Sequence, residues 1–230
     1  MGVDTISAVQ GRANEKFLGL VELIRAAGTD NLSHFGCGYT HEGGLSLQQN
    51  PFEFAALCVL LSESEEVTGG YYLEIGSASG GAALMLDRLL GFEKMWSIDD
   101  GGHHRYPELP KNFAELPHMD HLKADSHGPE ARAWLREKLT IHRPGSDLDG
   151  IQSCLDVVFI DGDHSEHGVW QDVQLVRPHL RIGTLVILHD IVACGGVKTA
   201  WERGAREQIW TPVAEYIGPE RPLGIGVGMV

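Results

Sequence analysis

No apolar run in this chain of 230 residues reaches the roughly 18 residues that a membrane-spanning helix needs. Its first residues, MGVDTISAVQGRANEK, contain no apolar core of a signal peptide. Gly2 also lacks a myristoylation context, because Ile6 stands where Ser or Thr is expected. Cysteine is sparse: Cys37, Cys58, Cys154 and Cys194 are widely spaced, with no C-x-x-C. They read as reduced thiols of a cytoplasmic protein and not as a disulfide framework or zinc site. Basic residues are outnumbered, 18 Lys plus Arg against 32 Asp plus Glu, for a net charge of −14. That balance argues against nucleic-acid partners and anionic membrane surfaces. No internal repeat, low-complexity segment or second domain is visible. The composition, 43% hydrophobic and 22% charged, suits one globular unit with a full core.

The chain is organised around YYLEIGSASGG, residues 71–81. Tyr71 to Ile75 read as a buried strand, Gly76 breaks it, and AALMLDRLL continues with helical spacing. A strand, a tight glycine turn and a helix begin a nucleotide-binding crossover. The spacing Gly76-x-Ala78-x-x-Gly81 only approximates a dinucleotide fingerprint. Glu74 would face a pyrophosphate there, with no Lys or Arg nearby to offset it. A ligand carrying an ammonium and a sulfonium, and no phosphate, suits that acid better. An ordinary strand-to-helix turn is the bland alternative.

Upstream, residues 14–27 show helical periodicity, with Gly28 as a stop. Residues 29–50 read as a polar loop. Asn50-Pro51-Phe52-Glu53 has the form of a helix start with a capping box, and the helix is expected to run to about residue 65. This N-terminal part, residues 1–68, would add helices and a loop (Tyr39 to Gln49) that either covers a site or merely connects. Downstream, KMWSID (94–99) reads as the second strand, ending in Asp99, which either binds ribose hydroxyls or caps a turn. Residues 101–121 hold four histidines without helical alignment, which favours a substrate-facing or solvated loop over a metal site. Leu122 to Ser126 reads as a third strand, residues 129–139 as a helix and 142–153 as a polar turn. LDVVFID (155–161) reads as the fourth strand, 167–176 as a helix ended by Pro178, and 185–188 as the fifth strand. A helix at 197–209 and two final strands, 213–217 and 224–230, complete an α/β, doubly wound, mostly parallel seven-stranded sheet over residues 69–230.

Polar residues gather at the expected carboxyl ends of the strands: Glu74 and Gly76, Asp99, Asp125 with Ser126, Asp161-Gly162-Asp163-His164, and His189-Asp190. Glu74-x-Gly76-x-x-x-Gly80-Gly81 resembles motif I of the class I S-adenosylmethionine (SAM)-dependent methyltransferases. FIDGDH followed by ILHD resembles the metal-dependent O-methyltransferases of the catechol type, and more closely the branch with macrocin O-methyltransferase and cephalosporin hydroxylase-like proteins. The resemblance covers roughly residues 36–230. It implies a Rossmann-like fold and a SAM site at Glu74, Gly76, Ser77, Gly80, Gly81, Asp99, Asp125, Ser126 and Asp161. It also implies a divalent metal, Mg²⁺ or Mn²⁺, at Asp161, His189 and Asp190, although His189 departs from the oxygen ligands that Mg²⁺ prefers. His164 stands where the catechol-type enzymes carry their basic Lys and would be the general base. The reaction implied is methyl transfer to a hydroxyl of a small molecule, a sugar or natural product. Two other readings stand beside it. One is an NAD(P)-dependent oxidoreductase, against which count Glu74 and the lack of a Tyr-x-x-x-Lys pair. The other is an accessory protein that keeps the fold without catalysis, in which Asp161 and His164 merely cap a helix and His189 is packed. Assembly into a homo-oligomer stays open.

Overall fold

The computed structural model describes residues 4–28, 31–32, 37–38, 44–64, 67–139, 155–219 and 222–230. The polar turn at 142–153 and the part of the cover loop at 39–43 lie outside them.

Helix α1 (Asp4–Ala27) starts well before the periodic stretch and ends at Gly28, at φ 89°. Two short strands, β1 (Asn31–Leu32) and β2 (Cys37–Gly38), pair antiparallel within the segment expected to be loop alone. Helix α2 (Pro51–Glu63) begins as the sequence suggests, the Asn50 side chain accepting from the Phe52 and Glu53 amides. The capping box does not form. Glu53 is 1% exposed and its two carboxylate oxygens accept from the amides of Gly218 and Gly224 at 2.7 and 2.9 Å. It therefore ties α2 to the C-terminal segment, satisfying buried amides far away in sequence where local capping would satisfy none.

The core alternates strands and helices: β3 (Tyr71–Ile75), α3 (Gly81–Leu90), β4 (Lys94–Asp99), α4 (Leu109–Phe113), β5 (Met119–Lys123), α5 (Pro129–Lys138), β6 (Val157–Ile160), α6 (Glu166–Val176), β7 (Leu185–His189), α7 (Gly195–Arg206), β8 (Thr211–Tyr216) and β9 (Ile225–Met229). The sheet order is β5-β4-β3-β6-β7-β9-β8. The first five strands are parallel, and β9 inserts antiparallel between β7 and β8. Strands β3, β6 and β7 are buried along their whole length, which explains why they read as continuous apolar runs. Alternate residues serve opposite faces. Tyr72 and Phe159 join the core under α1–α3, while Leu73, Val158 and Ile160 join the one under α5–α7.

The third strand corrects the sequence reading. It occupies Met119–Lys123 and pairs with Met95–Asp99, so Asp125 and Ser126 lie beyond its end. As an edge strand it is only half-buried, and its alternating MDHLK conceals the apolar signal. The loop after β4 also gains structure, a 3-10 turn at Tyr106–Glu108 followed by α4.

Candidate functional site

Chain order reverses between β3 and β6, with β4 on one side and β6 on the other. In open α/β sheets the crevice at such a switch point is where ligands bind. A cavity of about 880 Å³ opens there, bordered by the carboxyl ends of five strands and by residues 46–49 of the segment before α2. His103 and His104 border the cavity from the loop after β4.

One half of the cavity is built on the turn after β3. Gly76 has φ 82°, and a Cβ there would lie 2.2 Å from the Asp161 carbonyl. The glycine lets two adjacent strand ends close up. Ala78 takes a left-handed φ of 46°, a conformation that costs a non-glycine residue about 1–3 kcal/mol. Asp99 offsets that cost. One of its oxygens accepts from the Ser77 and Ala78 amides at 2.8 and 2.9 Å, and the other from Gly101 at 2.7 Å. Asp99 thus caps the turn, and it also borders the cavity. Ser77 borders the cavity as well, its hydroxyl joined to Ser97.

Gly80 and Gly81 do not border the cavity. A Cβ on Gly80 would meet the Phe113 ring at 2.6 Å, and one on Gly81 the Leu45 carbonyl at 2.4 Å. Their smallness serves the packing of α4 and the cover segment against α3. Asp125 is exposed at the rim, and its carboxylate accepts from the His127 amide. The Ser126 hydroxyl donates to buried Asp172 at 2.6 Å, and Ser126 borders the cavity.

Glu74 lies at the centre, 1% exposed. One carboxylate oxygen accepts from the Tyr72 hydroxyl at 3.0 Å, and the other is buried with no hydrogen-bond partner among the described residues. Burial pushes this carboxyl up to about 8, against the pull of its hydrogen bonds. A cation placed beside it would ionise it.

The second half gathers Asp161, His164, His189, Asp190 and Cys194. Asp161 reaches His189 Nδ1 at 3.0 Å and His164 Nε2 at 3.5 Å. Its other oxygen accepts from the Gln49 side-chain amide at 3.3 Å. Burial opposes its charge, yet the two imidazoles hold Asp161 down at about 2. Burial also disfavours charge on His189, but Asp161 and Asp190 raise it to about 9. His164 is raised by its hydrogen bond to Asp161, and burial raises Asp190. One donor atom each from Asp161, His189 and Asp190 falls within 4.8 Å of the others. Asp190 Oδ1 and His189 Nε2 are buried without hydrogen-bond partners among the described residues. This mixed oxygen and nitrogen set can hold a divalent cation. The helix after β6 is capped by Ser165, whose hydroxyl accepts from Gly168, and not by Asp161 or His164. Asp163 accepts from Ser165 at the same start.

Sequence reasoning missed Gln49 and Cys194. Gln49 precedes an N-cap with no motif of its own. Cys194 lies one turn past Asp190, a spacing that matters only because its thiol comes within 3.6 Å of His164 Nδ1.

A model of a methyltransferase domain matches residues 73–191. A search of curated proteins returned no match. Among solved structures, the Bacillus cereus O-methyltransferase in complex with S-adenosylhomocysteine (SAH) is similar at 15% identity and TM-score 0.57, over 93% of this chain and 90% of that one. TomG of Streptomyces achromogenes, an O-methyltransferase involved in tomaymycin synthesis and solved with SAM, is similar at 18% identity and TM-score 0.53, over 76% of this chain and 80% of its own. An Aeropyrum pernix fibrillarin with natively bound SAM is similar at 14% identity and TM-score 0.54, over 77% of this chain and 76% of that one. The sheet order, the glycine turn at the switch point and the match across more than half the chain lead to one assignment: the protein belongs to the methyltransferase-domain family and has its α/β fold.

Proposed function

We propose that this protein transfers the methyl group of SAM to a hydroxyl oxygen of a small molecule, with a divalent cation, Mg²⁺ or Mn²⁺, held by Asp161, His189 and Asp190. The observation that carries this reading is the single cavity shared by Glu74, with its unpartnered buried oxygen, and by the Asp161–His189–Asp190 cluster. The cofactor's amino-acid end goes to Glu74 and the turn of Gly76 and Ser77. Its ribose and adenine follow the line of Asp99, Asp125 and Ser126. A bound cation would supply Lewis acidity, lowering the pKa of an acceptor hydroxyl.

The chain's own residues do the rest. Asp161 and Asp190 hold the proton of His164 through contacts of 3.5 and 3.4 Å. When those carboxylates are engaged by a cation, His164 would release that proton to solvent, and the neutral imidazole can then take the acceptor's hydroxyl proton. The oxygen then attacks the methyl carbon, its C–S bond breaks as the C–O bond forms, and SAH leaves. Gln49 steadies Asp161, and residues 46–49 narrow access for water. The surplus of acidic residues favours a neutral or cationic acceptor over a polynucleotide.

Label transfer from methyl-labelled SAM to a panel of small hydroxylated acceptors tests this reading. Transfer that stops in EDTA and returns with Mg²⁺ or Mn²⁺ is expected. Transfer undiminished in EDTA would remove the cation and leave a plain acid–base methyltransferase.

A further inference from the structure

We propose that His164, Asp190 and Cys194 form a site for a thiophilic divalent cation of the zinc type, whose occupancy inhibits the enzyme by sequestering His164. The donor atoms of these three residues lie within 4.8 Å of one another. Cys194 Sγ stands 3.6 Å from His164 Nδ1. A tetrahedral ion with Zn–S about 2.3 Å and Zn–N about 2.05 Å spans a sulfur–nitrogen edge of about 3.6 Å. Asp190 is 8% exposed and its Oδ1 has no hydrogen-bond partner among the described residues, so a buried carboxyl oxygen is already placed to serve as a donor.

The backbone builds this arrangement. Asp190 takes a left-handed φ of 66°, and the Cys194 amide donates to the Asp190 carbonyl at 2.9 Å, closing the turn that brings the thiol back over the carboxylate. Ile191 donates to Gly224, and Val192 and Ala193 donate to Leu223, which pins that turn from below. On the other side the start of α7 presses on the backbone after β6, where a Cβ on Gly196 would lie 2.5 Å from the His164 carbonyl. His164 and Cys194 are both partly exposed and border the cavity, so an ion can reach them.

The donor set separates this site from the neighbouring one. Thiolate and imidazole favour Zn²⁺ or Co²⁺, whereas Mg²⁺ prefers oxygen. Binding moves the thiol proton to solvent and leaves a Cys194 thiolate on the ion. Asp190 belongs to both sets, so the two occupancies compete. Binding stands on these side chains alone, and only its inhibitory consequence rests on the base role proposed for His164.

Co²⁺ titrated into the full chain in excess Mg²⁺ reads the site directly by absorption. A thiolate-to-cobalt charge-transfer band should appear, be displaced by Zn²⁺, and be lost in Cys194→Ser, whose fold is checked by circular dichroism. No band in the wild type, or a band that survives in Cys194→Ser, overturns the site. Zn²⁺ should suppress label transfer by the wild type and spare Cys194→Ser. Equal suppression of both overturns the inhibitory role. SAM binding measured on the same samples judges the cofactor reading separately, because a missing SAM heat beside an intact band refutes that reading and not this site.

Discussion

Glu74→Gln separates the cofactor role of this residue from its cost to the fold. The carboxyl is fully buried and its pKa is raised from 4.5 to about 8. An acid that holds its proton more tightly when folded adds nothing to stability changes below its unfolded pKa. As pH rises past 4.5, the unfolded chain releases the proton while the folded chain keeps it, and stability falls by about 1.4 kcal/mol per pH unit. The loss reaches about 3 kcal/mol at pH 7 and levels off near 5 kcal/mol above pH 8. Gln keeps an oxygen for the Tyr72 hydroxyl and cannot ionise. The variant should therefore melt higher than the wild type at pH 7 and gain little at pH 5. The same substitution should weaken SAM binding, since the ammonium loses its carboxylate. In the wild type a bound cation should pull the Glu74 pKa down, so SAM binding at pH 7 should release nearly one proton. Calorimetry in buffers of different ionisation heat measures that release, and it should vanish in Glu74→Gln. A variant that melts lower at pH 7, or SAM binding with no proton release in either protein, would refute this reasoning.

Gly80→Ala should cost about 1–3 kcal/mol, through its left-handed φ and the collision with Phe113, while the folded fraction binds SAM normally; chemical denaturation and calorimetry check the two halves. Glu53→Ala should lower stability by about 3 kcal/mol in urea titrations, because the Gly218 and Gly224 amides lose their acceptor. Gln49→Leu should weaken Mn²⁺ binding by about 10–100-fold, since Asp161 loses the amide that orients it; Mn²⁺ titration followed by electron paramagnetic resonance reads this. His164→Ala should slow single-turnover methyl transfer by about 10²–10⁴-fold with SAM affinity kept.

The parallel core was legible because buried strands carry unbroken apolar runs, and β3, β4, β6 and β7 fall within a residue or two of the stretches that announced them. The edge strand was misplaced because half of it faces water, and only pairing with β4 defines its register. The acids that end the strands were legible as a line, since fold topology alone sends them to one edge. What each side chain does there was not. Glu53 resembles a local cap but serves amides more than 160 residues away in sequence. Gly80 sits in a glycine motif, and the room it makes for Phe113 is visible only in the packed structure. Gln49 and Cys194 join the site through tertiary approach, which leaves no periodicity or motif behind.

The most direct measurement is calorimetric titration of the purified full chain with SAM, SAH and NAD in parallel. SAM and SAH should bind with micromolar-scale affinity, and NAD should give no heat, because its pyrophosphate cannot ionise Glu74 as a cation does and no basic residue lies in the turn to receive it. Binding of NAD with no response to SAM or SAH would contradict the cofactor assignment on which the proposed chemistry stands.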